Sequence, residues 1–458
     1  MVFSSLIFLW IFLPLVFFGN LLAGRKLSNL FLLLASLFFY AWGEPVMVLL
    51  MFACCLWNWA AGLLISRSKH KKLSLALGVT LDLSFLFYYK YIGFFCDIVN
   101  SVGGGTIFPR PEVALPIGIS FFTFQAISYL ADVYRGQVAA SKDPLPVALY
   151  ISFFPQLIAG PIVQYRSVEA ALRERRVTTA DTADGFRRFV YGLSKKVLIA
   201  NVLAGCADKA FALEALDMRA AWIGALAYTL QIYYDFSGYS DMAIGLGKMF
   251  GFTFPENFRY PYLSRSISEF WRRWHITLGA WFREYVYIPL GGNRKGRGRT
   301  LFNLMLVFAL TGLWHGAELS FILWGLYHGL LSLIERVGLK KLLEKSRVIS
   351  RLLCFCAVLL GWVLFRAENC SEAFRYLAAM FTPGAETVPL WQLGDRKCFI
   401  FLILAIPGAG LIQTLVPEKL RTKYTGSVIE ALICMLLLFF CVASLAADSY
   451  NPFIYFQF

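Results

Sequence analysis

LFNLMLVFALTGLWHGAELSFILWGLYHGLLSLI, from Leu301 to Ile334, is two apolar runs joined at Gly312-Leu313-Trp314-His315-Gly316. Wound as a helix rising about 1.5 Å per residue, each run covers most of the roughly 30 Å of bilayer hydrocarbon. An imidazole at the junction sits where lipid penalises needless polarity, and ionisable residues in such segments are functional by default. Working outward from this pair, apolar stretches predict further crossings at 2–22, 28–42, 46–65, 73–96, 114–131, 187–212, 219–248, 350–366, 398–416 and 429–447, beside 301–315 and 318–335. The expected fold is an all-α polytopic membrane protein of about twelve (10–12) transmembrane helices, with re-entrant and interfacial helices besides, forming a single domain over 1–458.

Composition excludes a soluble domain. Apolar residues make up 59% of the 458 and charged residues only 16%, where soluble domains carry about 25% charge; the mean hydropathy is +0.63. The first run, Val2 to Leu22, has no basic residue before it and no small-residue cleavage site after it, so it reads as a retained span and not a signal peptide. The net charge of +15 is clustered at 25–26, 67–72, 166–196, 294–299, 336–351 and 419–423. Alternating crossings put every cluster on the cytoplasmic side, and the positive-inside rule then places both termini outside. The clusters orient the chain and touch anionic lipid, so nucleic acid is not needed as a partner. Most of the ten cysteines lie in apolar runs and none shows CxxC or metal-ligand spacing, so no metal site is expected. Cys370 and Cys398 flank an expected outer loop and are a candidate pair in an oxidising compartment.

Two segments depart from simple spans. Phe153-Phe154-Pro155-Gln156-Leu157-Ile158-Ala159-Gly160-Pro161 cannot continue a helix through its prolines and glycine, and reads as a re-entrant loop buried in protein. The stretch 251–300 combines aromatics with nine Arg and Lys residues and is expected on the cytoplasmic side. Within it Ser266-Ile267-Ser268-Glu269 is a capping box, and Ile267, Phe270, Trp271, Trp274, Leu278, Trp281, Phe282 and Tyr285 repeat at helical spacing. An amphipathic helix is expected there, with Arg272, Arg273 and Arg283 off the apolar arc and His275 at its polar edge.

The chain has four histidines, so candidates for proton transfer near neutral pH are few. His315, between Gly312 and Gly316, is either a catalytic base or a satisfied interhelical hydrogen-bonding residue. His275 is either functional or an interfacial anchor among tryptophans. His328 packs in the bundle or lines a cavity, and His70 belongs to a solvated basic loop. Tyr233-Tyr234-Asp235-Phe236-Ser237-Gly238-Tyr239-Ser240-Asp241 brings carboxylates and hydroxyls into a membrane helix. Ser237 and Asp241 there either orient an imidazole along a polar tunnel or form a helix–helix network. Asp82, alone in its span, reads as structural. The loop 289–299, with Arg294, suits either phosphate contact or anchoring to the membrane surface. No GxSxG elbow and no Cys-His pairing is present.

The strings Trp271-Arg272-Arg273-Trp274-His275-Ile276-Thr277-Leu278, Tyr287-Ile288-Pro289-Leu290-Gly291-Gly292-Asn293-Arg294 and Leu313-Trp314-His315-Gly316, in that order, resemble the membrane-bound O-acyltransferase (MBOAT) family. Phe154 to Pro161, Tyr234 to Asp241 and the C-terminal Asn451 to Phe458 are similar to it as well. The Ile-Pro-Leu-Gly-Gly-Asn-Arg string looks like the bacterial AlgI-like branch, which O-acetylates exopolysaccharides or peptidoglycan, and less like the DltB-like branch, which transfers D-alanine to teichoic acid.

The resemblance implies a tunnel through the membrane, catalytic His315 and a second functional position at His275. It adds donor contacts at Arg272, Arg273, Arg283 and Arg294, and tunnel or orienting roles for Trp274, Trp314, Ser237 and Asp241. It implies no bound cofactor: acetyl-CoA or another acyl thioester is a substrate, and a thioester needs only a base near the operating pH. Implied partners are an extracytoplasmic acetyltransferase or acceptor polysaccharide, a possible cytoplasmic acyl carrier, and lipid of a bacterial cytoplasmic membrane. In this reading His275 lies near the cytoplasmic face and His315 near the outer one. A glycan or lipid transporter is the alternative of another class, weakened by the lack of inverted repeats.

Overall fold

The computed structural model describes residues 1–339, 346–383, 387–447 and 454; of the C-terminal string Asn451 to Phe458, all but Ile454 lies outside them. Among the described residues every regular element is helical. Apolar segments require this in lipid, because a helix satisfies its own N–H and C=O groups.

Among the described residues seven helical runs are long and apolar enough to cross a membrane: Phe8–Ala41, Met47–Arg67, Lys71–Gly103, Thr179–Phe211, Arg347–Arg366, Arg396–Leu415 and Val428–Ala447. The expected crossings 2–22 and 28–42 are two legs of the first run, bent at Gly24, whose φ of 62° and ψ of −179° break the helix. Four other expected crossings are the helices Ile119–Tyr134, Met218–Met249, Gly296–His315 and Leu319–Ile334. The first and last of these have 16 residues, and the other two carry enough glycine and polar side chains to dilute their hydropathy.

The chain forms two compact units, Met1–Phe189 with Met242–Pro255, and Val190–Asp241 with Glu256–Phe458. In the first, Phe154 meets Phe12 at 5.3 Å and Phe39 at 5.5 Å between ring centroids, an aromatic core under the N-terminal helices. Asp82 accepts a 2.9 Å hydrogen bond from the Asn58 side chain, so this lone carboxylate joins two helices. The 153–161 segment has the broken backbone its prolines foretell. A helix Pro144–Ser152 stops at Phe153, a single turn Phe154–Leu157 follows, and every residue from 153 to 161 is buried. Gly118, at φ 76°, lets the chain approach so closely that a Cβ there would stand 2.8 Å from the Leu157 carbonyl oxygen.

In the second unit Asp235, on the part of the helix Met218–Met249 that belongs to it, meets Lys196 at 2.6 Å with both side chains at most 2% exposed. Lys196 sits on a widened helical turn, Lys195–Ala200, and the Ile454 N–H donates to the other Asp235 oxygen at 3.0 Å. Gly296–His315 and Leu319–Ile334 form a tight hairpin. A Cβ at Gly312 would collide with the Phe321 carbonyl and one at Gly325 with the Phe308 carbonyl, so these glycines permit backbone-on-backbone packing.

The continuous amphipathic helix expected over 267–285 is interrupted. Ile267–Phe270 is one short helix and Ile276–Phe282 another, with His275 between them in the left-handed region (φ 44°, ψ 53°). The neighbouring strand of irregular chain accounts for the break: the Asn257 carbonyl accepts from the Ile276 N–H (3.0 Å) and the Arg273 carbonyl from the Arg259 N–H (2.9 Å). The aromatic periodicity does reflect burial, since Phe270, Trp274, Leu278, Trp281 and Phe282 are all buried, but it is distributed over a folded-back segment.

Candidate active site

His275 stands at the break between the two short helices. A non-glycine residue at positive φ costs of order 1–3 kcal/mol and persists where its surroundings hold it, often at functional sites. Here Asn257 is the holder. Its side-chain oxygen accepts from the Thr277 N–H at 3.3 Å and hydroxyl at 2.9 Å, and its amide nitrogen donates to Ser240 at 3.0 Å. That pattern fixes the amide's orientation, so the 3.1 Å contact between Asn257 Oδ1 and His275 Nδ1 is donated by the imidazole. Nε2 is then the lone-pair nitrogen, and it has no hydrogen-bond partner among the described residues. The imidazole is 1% exposed, so it is fully buried and does not lie at the expected polar edge.

His315 ends the helix Gly296–His315 and is 4% exposed. Its ring is held edge-on by Trp324 and Phe365, each at 5.2 Å, and by Trp314 at 5.0 Å. Trp314 also meets His275 at 6.1 Å. The two histidines are therefore neighbours of one indole, which corrects the expectation that they lie near opposite faces. The reason is the folded-back 257–282 segment, which brings His275 to the His315 end of the hairpin.

The surrounding wall is aromatic. Trp274 stacks on Phe270 at 5.5 Å and meets Trp362 at 4.8 Å, while Trp271 meets Trp324 at 5.5 Å. His328 is 0% exposed within this wall, 5.2 Å from Trp271 and 5.3 Å from Trp324. Such walls exclude water and strengthen every polar interaction inside them. A base there can take a hydroxyl proton without competing solvent.

Other sequence candidates fall elsewhere. Asp241 meets Lys195 at 2.6 Å, and Ser237 is buried on the same helix. Arg273 is paired with Glu269 at 2.7 Å, whereas Arg272, Arg283 and Arg294 are exposed. Cys398 lies against Cys206 and not Cys370. Sequence reading missed Asn257 and the part played by Trp324, Trp362 and Phe365. A lone asparagine in an aromatic loop carries no spacing signal, and the three wall residues come from two different helices.

Two buried imidazoles walled by aromatics thus sit in an all-helical bundle, and comparison with known proteins gives the class. The profile of the membrane-bound O-acyltransferase family matches residues 34–347, and the chain belongs to that family. It is a multi-pass membrane acyltransferase. It is 42% identical to a probable alginate O-acetylase, AlgI, of Pseudomonas putida, with 100% of both chains covered. It is 37% identical to a peptidoglycan O-acetyltransferase of Helicobacter pylori, covering 86% of this chain and 82% of the relative. A teichoic acid D-alanyltransferase of Bacillus subtilis is 30% identical over 47% of this chain and 57% of its own.

Proposed function

We propose that the chain, acting as one membrane domain over residues 1–458, moves an acetyl group from a cytoplasmic thioester, acetyl-CoA, to an acceptor outside a bacterial cytoplasmic membrane. The observation that carries this reading is the meeting of His275 and His315 at Trp314 inside a buried aromatic wall. His315 acts as general base. It takes the proton of the acceptor hydroxyl as the oxygen adds to the thioester carbonyl; the resulting tetrahedral intermediate collapses to the ester, the carbon–sulfur bond breaks, and the thiolate leaves as the thiol, taking that proton from the imidazolium. His275 positions the donor, its Nε2 accepting a hydrogen bond from an amide N–H of the thioester's arm. Arg272, Arg283 and Arg294, exposed and positively charged, serve the anionic end of the donor. No metal or redox cofactor enters these steps, because the thioester is already activated.

Acetyl is favoured over D-alanine because the O-acetylating relatives match along all or most of the chain, whereas the D-alanyltransferase matches about half. The acceptor is an extracytoplasmic polysaccharide, reached directly or through a partner acetyltransferase outside the membrane, and both termini of the chain face that side. The test is base-labile acetate on the surface polymer of cells making wild type or His315→Ala at equal membrane levels. Loss of acetate with polymer export intact supports acyl transfer at His315. Unchanged acetate with reduced export overturns it in favour of transport. Labelled acetyl-CoA supplied to inside-out vesicles, against an acylated carrier protein, identifies the donor.

A further inference from the structure

In the first unit, the kink at Gly24 and the chain Arg173 to Thr178 enclose a cavity of about 420 Å³. Arg25, Arg173, Arg175 and Arg176 line it, against a single carboxylate, Glu174. Arg173 is tied outward to Glu169 at 2.6 Å, and Arg176 reaches Glu174 only at 3.9 Å. Arg25 and Arg175 have no carboxylate partner among the described residues.

Arg175 is the informative one. Its guanidinium is half-buried over the Phe252 ring at 4.8 Å and donates to three neutral oxygens, those of Asn29, Ser28 and the Ala171 carbonyl. Ser28 in turn donates to Asn20, and Asn29 to the Leu172 carbonyl, so the fork is clamped from both sides. Burial without an anion lowers the Arg175 pKa to about 10. A partly desolvated cation whose protein partners are all neutral is stabilised most by an anion from outside. Planar forks of fixed geometry match phosphate oxygens.

The surroundings indicate where that anion comes from. Leu21, Leu22 and Leu27, flanking the kink, are 55%, 88% and 57% exposed on the helix that begins as the first apolar span. An acyl tail can lie along these leucines while its headgroup enters the arginine cluster.

We propose that this cavity is a phosphate-binding site whose natural occupant is the headgroup phosphate of an anionic phospholipid. Gly24 is then the residue that opens the helix to admit it, since its φ of 62° suits glycine. The test compares wild type with Arg25→Ser/Arg176→Ser, both side chains being exposed, so that equal melting temperatures in neutral detergent confirm folding. Native mass spectrometry with phosphatidylglycerol is expected to show retained lipid on the wild type, weakened roughly 30-fold in the variant, and no retained phosphatidylcholine. Inorganic phosphate is tested in parallel by thermal shift. A shift in wild type alone, with equal phosphatidylglycerol retention, supports the phosphate site with a soluble source. Equal retention and equal shifts in both proteins overturn the proposal.

Discussion

At the scale of single residues, the proposed site rests on two imidazoles with different constraints. His315 is set by aromatic contacts, and its replacement by alanine is expected to lower acyl transfer by roughly 10²- to 10⁴-fold, the range for loss of a general base, as measured by acetate on the surface polymer. His275 is set by a hydrogen bond through Asn257. Replacing Asn257 by leucine removes the acceptor that fixes the His275 tautomer, whereas Asn257→Asp keeps an oxygen in place. Transfer is therefore expected to fall about tenfold or more in the leucine variant and to be largely rescued in the aspartate variant. Equal losses in both at matched membrane levels would reduce Asn257 to a structural role. His315 and His275 were both singled out as candidates in the sequence because each follows a tryptophan in the strings that carry the family resemblance. Asn257 was not, because its importance comes from what lies 18 residues later in the chain.

At the scale of helices, glycine contacts decide packing. Gly312→Ala drives a methyl into the Phe321 carbonyl, which is backbone and cannot swing away. A loss of about 1–3 kcal/mol is expected, seen as a lower melting temperature and less protein in the membrane. Gly298, in the same helix, has open space around it. Alanine there should leave stability unchanged or raise it by up to about 1 kcal/mol through helix propensity. The opposite signs test the packing argument, since both substitutions are chemically the same. The buried Lys196–Asp235 pair offers a parallel case. Lys196→Met strands a carboxylate and is expected to cost about 3–5 kcal/mol, and adding Asp235→Leu should recover much of the loss, read from the melting temperatures of the single and double variants. Helix positions were mostly readable from the apolar runs. The break at His275 was not, because the repeat of aromatics at helical spacing is the same whether the segment is straight or folded back.

At the scale of the whole molecule, the basic clusters predict sidedness. A cysteine at the exposed Arg176 is expected to resist a membrane-impermeant thiol reagent applied to intact cells and to react in inside-out vesicles, and labelling from outside would reverse the orientation of the first unit. The sequence by itself determined that this is an all-helical membrane protein, because hydropathy is a local property that lipid reads directly, and the histidine strings carried the resemblance to the acyltransferase family. Tertiary structure decided which expected spans are legs of one kinked helix, that His275 is buried and not at a surface edge, and that both histidines meet one indole. Each of those depends on chain segments distant in sequence closing on one another. That closure is governed by packing and by satisfaction of buried polar groups, which no local pattern encodes.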